Sequence, residues 1–338
     1  MKEAMFFEKM SGLKVQCGLC RFRCLIADGR RGICGVRENR EGVLYSLAYG
    51  RSVAEQVDPI EKKPLFHFLP GSVSYSVATM GCNFRCEHCQ NYTISQPPRE
   101  EGRILGRQLM PEEIVSQALA AGCRSISYTY TEPTIFFEYA YDTAVLAQRN
   151  GLKNVFVTNG YITEEALTFI RPYLDAANID LKAFTDSFYR DVVGGAVLGE
   201  VLDSIRLHKR LGIWLEITTL IIPGLNDSDE ELTAIARFIV NEVGSDTPWH
   251  VSSFHPDYHM TDRSWTPVET VQRARQIGIA AGLRYVYVGN VQGDGGEDTV
   301  CPGCHALVVS RRGFTVHKLN VEEGKCPSCG FALDGVWE

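Results

Sequence analysis

Seven short runs of apolar and β-branched residues punctuate the middle of the chain, at 74–79, 125–130, 154–158, 177–181, 214–221, 250–254 and 285–288. Each ends near Gly, Asn, Asp or Pro, the residues that stop a strand. Helical patterns with recognisable starts lie between them. Pro111 occupies a first helical position and is followed by Glu112 and Glu113. Ser228 with Glu231, and Thr266 with Glu269, read as capping boxes. Alternating strands and helices predict an α/β class with parallel strands joined by right-handed crossovers. Six or seven such units predict a full or partial (β/α) TIM-like barrel rather than a doubly wound sheet. In that architecture chemistry gathers at the C-terminal ends of the strands.

The two ends of the chain have a different texture. Residues 1–51 are basic, Gly-rich and Cys-rich with little periodicity, and a second Cys-rich stretch follows Gly295 and Gly296. The pattern therefore divides into an N-terminal metal-binding module (1–51), a barrel core (52–293) and a C-terminal module (294–338). With 338 residues, 45% hydrophobic and 22% charged, the composition is that of an ordinary globular protein. The net charge is −7 and the 34 Lys and Arg are scattered, which argues against a large nucleic-acid footprint. No apolar run approaches the ~18 residues of a membrane span, and the first ten residues have no secretory apolar core. A cytoplasmic protein is expected.

The 12 cysteines refine this picture by their grouping. Cys82-Asn-Phe-Arg-Cys86-Glu-His-Cys89 follows the first barrel strand. Three thiolates suit three irons of a [4Fe–4S] cubane with the fourth iron left open, whereas a zinc knuckle would need a further ligand such as His88. Cys301-Pro-Gly-Cys304 and Cys326-Pro-Ser-Cys329 form two knuckles around a hairpin-sized segment, the pattern of a zinc ribbon closed by four thiolates. Cys17, Cys20, Cys24 and Cys34 suit either structural zinc or a fully ligated Fe–S cluster. Their short, irregular spacings favour zinc. Cys123 reads as a small buried apolar residue.

The segment from Met80 to Asn91 resembles the radical S-adenosylmethionine (SAM) superfamily. That resemblance implies that Cys82, Cys86 and Cys89 are the catalytic cluster ligands, that SAM binds the open iron, and that His88 lies beside the adenine. Tyr130-Thr-Glu-Pro133 stands where the superfamily has Gly-Gly-Glu. Glu132 matches the acid and both glycines are replaced. Thr158-Asn-Gly160 and Asp180-Leu-Lys182 resemble segments of glycyl-radical-enzyme activases, so Glu132, Asn159, Asp180 and Lys182 are implied to position SAM. Asp180 and Lys182 taken alone also fit a surface ion pair. With the stretch from Asp58 to Gly71 and both Cys-rich ends, the whole chain resembles the radical SAM component of the AmmeMemoRadiSam system, a relative of the pyruvate formate-lyase activating enzymes. The implied activity is reductive cleavage of SAM to methionine and a 5′-deoxyadenosyl radical that takes hydrogen from a substrate the sequence does not identify. The implied partners are a Memo-like protein, an AMMECR-like protein and an electron donor such as a ferredoxin or flavodoxin. The alternative activity is activation of a glycyl-radical enzyme.

Lys62, Lys63 and His67 permit two readings. They could hold an anion at the barrel mouth, or the neighbouring apolar residues could pack across the barrel while the lysines stay in water. The second is favoured. His255 and His259 follow a barrel strand and are more simply structural than substrate-contacting.

Overall fold

The computed structural model of the chain describes residues 1–291 and 296–338. Asp294 and Gly295, and with them the boundary between the second and third predicted modules, lie outside the described residues. All seven apolar runs are strands of one sheet: Val73–Ala78, Ser125–Tyr128, Lys153–Thr158, Ala176–Asp180, Trp214–Ile221, Trp249–Ser253 and Val286–Gly289. They are parallel, and each pairs with its neighbours in sequence order. Helices such as Phe137–Arg149, Leu198–Arg210 and Val268–Ala280 connect them, as right-handed crossovers require.

An eighth strand, Ala54–Pro59, pairs antiparallel with Val73–Ala78. Its burial is mixed and it lacks a clear apolar run, because it forms one edge of the sheet. Val286–Gly289 forms the other edge, and the two edges are not paired. The barrel is therefore partial and open.

Two of the predicted helix starts hold. Pro111 is the first residue of Pro111–Ala120, and the Ser228 hydroxyl accepts from Glu231 N at the start of Asp229–Phe238. The third does not. The next helix begins at Val268 after Pro267, without a side-chain cap. The Thr266 hydroxyl is spent on two strand ends instead, accepting from Phe254 N (2.8 Å) and donating to Ile221 O (2.5 Å).

The inward face of the sheet is polar and small near its first strands. Ser74 and Ser127 share a hydrogen bond (2.6 Å), and Ser76 donates to Asp58 (2.8 Å). The segment from Ile60 to Leu69 crosses the N-terminal ends of the strands and seals that end. Ile60, Leu65, Phe68 and Leu69 pack with Val155 and Ala176. Glu216 accepts from the backbone N–H groups of Phe66 (3.0 Å) and His67 (2.8 Å), and Asn178 donates to Pro64 O (2.8 Å).

The N-terminal residues build two small antiparallel sheets, one of Lys2–Glu3, Arg37–Arg40 and Val43–Ser46, the other of Phe7–Lys9, Val15–Cys17 and Leu25–Ile26. Their apolar side chains, Val15, Leu19, Val36 and Leu44 among them, join the same continuous core as the barrel helices. A buried ion pair, Arg37 to Glu138 (2.8 Å), fastens this region to helix Phe137–Arg149. The C-terminal residues form a separate three-stranded sheet, Thr299–Val300, Leu307–Arg312 and Thr315–Leu319, with its own small core.

Candidate functional site

Cys82, Cys86 and Cys89 occupy the loop leaving strand Val73–Ala78, at the C-terminal end of the sheet. Gly81 fixes the approach of that loop. Its φ of +103° is one that residues with side chains avoid, and a Cβ there would meet Val36 at 2.8 Å and Cys34 O at 3.0 Å. The loop is therefore clamped between the barrel and the N-terminal module.

Burial pushes the Cys82 thiol well above its ordinary value, with Glu132, Cys86 and Cys89 adding to the effect. Burial also pushes Cys86 up to about 12, opposed by Lys182. Protonated, buried thiols of this kind release protons when a metal binds, so the group that binds must contribute the missing positive charge.

The polar residues implied by the resemblance surround this loop. Asn159, at the end of strand Lys153–Thr158, donates from Nδ2 to Asn83 Oδ1 (2.8 Å) and lies 3.9 Å from Cys82 Sγ. Glu132 is buried. Its Oε1 accepts from Thr134 N, Thr134 Oγ1 and Thr158 Oγ1 at 2.6–2.9 Å, and its Oε2 accepts from Asn159 N at 2.8 Å. Burial raises its pKa against those hydrogen bonds. The carboxylate thus holds the Thr158–Gly160 turn in place, and Oε2, with a single donor, retains acceptor capacity. Asp180 and Lys182 form an ion pair (2.8 Å) at the end of strand Ala176–Asp180. Burial opposes the Lys182 charge, but Asp180 and Cys86 hold its pKa above the ordinary lysine value. His88 is buried, and burial followed by the nearby Lys182 lowers its pKa to about 3, so its ring is neutral.

Two residues were not legible as site residues, Asn83 and Tyr130. Asn83 lies inside the cysteine motif, yet only the fold shows it bonded to Asn159. Its Nδ2 and His88 Nδ1 are buried with no partner among the described residues. Tyr130 replaces the first glycine of the superfamily pattern and takes the backbone conformation a glycine would, φ +64°. That conformation costs a non-glycine residue about 1–3 kcal/mol. It turns the ring inward so that the hydroxyl donates to Asp58. Asp58 also accepts from Lys62 (2.9 Å) and Lys63 (2.6 Å). Lys63 is 1% exposed and its ammonium lies 4.6 Å from the Tyr130 ring centroid. The expectation that both lysines remain in water therefore fails for Lys63. Asp58 compensates its charge inside the barrel. Burial still lowers the Lys63 pKa to about 8.

His67 is fully buried at the sealed end, bonded to Tyr287 Oη (2.5 Å) and Asp334 O (2.6 Å). His255 is partly buried beside Trp265, and His259 N donates to Glu87 O (3.0 Å). Cys123 is buried in the main core.

The C-terminal cysteines converge. The sulfurs of Cys301, Cys304, Cys326 and Cys329 all lie within 4.8 Å of one another, with Cys301 to Cys329 at 3.6 Å and Cys304 to Cys326 at 3.7 Å. Tetrahedral zinc, about 2.3 Å from each sulfur, sets neighbouring sulfurs about 3.8 Å apart. The arrangement could hold one such ion. Cys17, Cys20, Cys24 and Cys34 line a common cavity against Ile135 of the barrel.

Comparison with known proteins bears on these features. The family model described as the radical SAM superfamily matches residues 76–239. The chain is 50% identical over 338 residues to "Uncharacterized protein MJ0808" of Methanocaldococcus jannaschii, covering 99% of this chain and 100% of that one. It is 28% identical over 168 residues to a GTP 3′,8-cyclase of Aquifex aeolicus (47% of this chain, 50% of the relative). It is 23% identical over 167 residues to a pyruvate formate-lyase-activating enzyme of Clostridium pasteurianum (48% and 67%). Among solved structures, a radical SAM methyltransferase from Sphaerobacter thermophilus aligns with a TM-score of 0.51 at 20% identity, over 65% of this chain and 67% of that one. This last likeness concerns the fold.

Proposed function

Because this chain belongs to the radical SAM superfamily, we propose that it binds a [4Fe–4S] cluster through Cys82, Cys86 and Cys89 and SAM at the open iron, and uses them to start radical chemistry on a substrate inside the barrel. The observation that carries this reading is the three-thiol loop ringed by Glu132, Asn159, Asp180 and Lys182 at the strand ends. With cluster and SAM bound, one electron splits SAM into methionine and a 5′-deoxyadenosyl radical that takes hydrogen from the substrate.

The chain's own residues bind, orient and exclude water. Lys182, paired with Asp180 at 2.8 Å, supplies a positive charge beside Cys86. Glu132 Oε2 retains a lone pair suited to an ammonium group. Asn83 Nδ2 and His88 Nδ1 are buried polar atoms in want of partners, as a bound polar ligand beside the thiols would provide. The segment from Ile60 to Leu69 blocks the opposite end of the barrel, so a radical formed at the cysteine end is shielded from solvent on that side.

The relatives do not select a substrate, since a GTP 3′,8-cyclase and a pyruvate formate-lyase-activating enzyme match at similar identity. The glycyl-radical activase alternative is favoured by no further observation. The AmmeMemoRadiSam assignment, its Memo-like and AMMECR-like partners and a ferredoxin or flavodoxin donor are part of the proposal on the strength of the sequence resemblance. Zinc at Cys301, Cys304, Cys326 and Cys329 is supported by their sulfur spacing.

The test is anaerobic reconstitution followed by dithionite and SAM. Formation of 5′-deoxyadenosine with one methionine per turnover is expected, and its absence from iron-loaded protein would sink the reading.

A further inference from the structure

The N-terminal cysteines differ from the C-terminal ones in a way that bears on what they hold. Among the described residues, the C-terminal set is the one group of three or more possible ligands whose donor atoms all lie within 4.8 Å. No three of Cys17, Cys20, Cys24 and Cys34 meet that spacing, although all four line the same cavity. Cys82, Cys86 and Cys89 fail it in the same way. A single zinc draws its four sulfurs to about 3.8 Å of one another. A cubane holds each thiolate on a different iron, so its sulfurs stand farther apart. The N-terminal quartet therefore resembles the open trio, not the closed ribbon.

Two further observations concern the surroundings. Arg37 lines the cavity and is 2% exposed. Its terminal nitrogens are taken by Glu138 (2.8 and 3.1 Å) and Met5 O (2.6 Å), but Nε is buried without a hydrogen-bond partner. An unpaired buried donor at this place suits an anionic group, and hydrogen bonds to sulfur are among the means by which proteins tune a cluster's potential. The quartet also abuts the catalytic loop. A Cβ on Gly81 would strike Val36 at 2.8 Å and Cys34 O at 3.0 Å. Arg99 donates from Nε to Ile33 O (2.8 Å) and from a terminal nitrogen to Cys82 O (2.9 Å), so a single side chain ties the two cysteine loops together.

We propose that Cys17, Cys20, Cys24 and Cys34 hold a second, fully ligated iron–sulfur cubane that passes single electrons to the cluster at Cys82, Cys86 and Cys89. The relay rests on the radical SAM reading, whereas the identity of the N-terminal group does not. A one-electron carrier protein of ferredoxin or flavodoxin type reduces the N-terminal cluster by one electron. That cluster is reoxidised as the catalytic cluster is reduced, with no bond made or broken and no proton moved. The zinc favoured by the sequence spacing is replaced in this assignment, because loop spacing along the chain does not set the distance between sulfurs.

The test uses the full chain, purified and reconstituted with iron and sulfide without oxygen. About eight irons, four per cubane, and one zinc are expected per chain. A triple Cys82→Ala, Cys86→Ala, Cys89→Ala variant should keep about half the iron and, once reduced, give an electron paramagnetic resonance signal that SAM does not alter. In the wild type that same signal should be broadened by the neighbouring reduced cluster. Cys34→Ser should lose about half the iron and keep the SAM-responsive signal. Two zincs with about four irons in the wild type, or an iron-free triple variant, would overturn the assignment. A triple variant that keeps its cluster while no wild-type signal responds to SAM would overturn the relay and the radical SAM reading, and leave the N-terminal cluster standing. Identical line shapes in wild type and triple variant would overturn the relay alone.

Discussion

The two ends of the barrel are both finished by a four-cysteine module, and they are built to different ends. At the C-terminal ends of the strands, the N-terminal module shares the main core, its quartet is spread around a cavity, and Gly81 admits it into contact with the loop that carries Cys82, Cys86 and Cys89. At the opposite end, the C-terminal module keeps a small core of its own around tightly clustered sulfurs. It reaches the barrel through a few polar anchors. Arg311 donates to Phe66 O (2.7 Å), Val336 pairs its backbone with His67 and Leu69, and Asp334 meets Arg284 and Tyr285. The same cysteine count thus sits in two settings. One module packs beside the loop that carries Cys82, Cys86 and Cys89, and the other fastens the segment that seals the floor.

The largest effect should come from the loop that carries Cys82, Cys86 and Cys89. Cys82→Ala is expected to reduce 5′-deoxyadenosine formation to the enzyme-free background, while zinc content, measured by elemental analysis, stays unchanged. Lost zinc would show that the two ends are not independent.

Each end also has a buried arginine, and these should differ in weight. Glu138→Ala leaves Arg37 buried and unpaired, and breaking such a pair costs about 3–5 kcal/mol. The denaturant midpoint of the metal-loaded protein should fall accordingly. Arg311→Ala should cost less, about 1–3 kcal/mol. Arg311 is anchored mainly through carbonyl and hydroxyl groups, and its Nε stands 3.7 Å from Glu61. Faster proteolysis within the ribbon, with SAM cleavage intact, would accompany that change. Equal losses from the two substitutions would undo the distinction between the ends.

The smallest effect concerns the barrel floor and pH. Lys63 has a folded pKa of about 8, lowered by burial, against about 10.4 when unfolded. Between these values the unfolded chain binds more protons, so this residue makes stability rise with pH through that window. The benefit is complete above the unfolded value and is lost as pH falls through about 8. Lys63→Met should flatten the slope of unfolding free energy against pH in that interval, measured by urea titration at successive pH values. An unchanged slope would place Lys63 in water.

Much of this was legible in the residue pattern. The seven parallel strands announced themselves because each is largely buried and so reads as a short run of apolar, β-branched and small residues. Ser228 gave its helix start because a cap is a local interaction. Thr266 showed the same local signal, but two strand ends took its hydroxyl. The strand Ala54–Pro59 was silent because an edge strand needs no continuous apolar face. The cysteine loop was legible from spacing, whereas the bond from Asn159 to Asn83 joins residues 76 apart in sequence and leaves no local trace. Tyr130 was visible only as a missing glycine, and its use, aiming a hydroxyl at Asp58, emerged from the fold.

The sequence by itself determined the order of strands and helices, the three groups of thiols and the family. These depend on short-range periodicity and on ligands a few residues apart. Tertiary structure decided which thiols close on one another and which stand apart, that Lys63 is buried, that the barrel stays open, and that Cys34 lies against Gly81. Those outcomes are set by distances between side chains on separate elements, which packing of the whole chain fixes and no local stretch encodes.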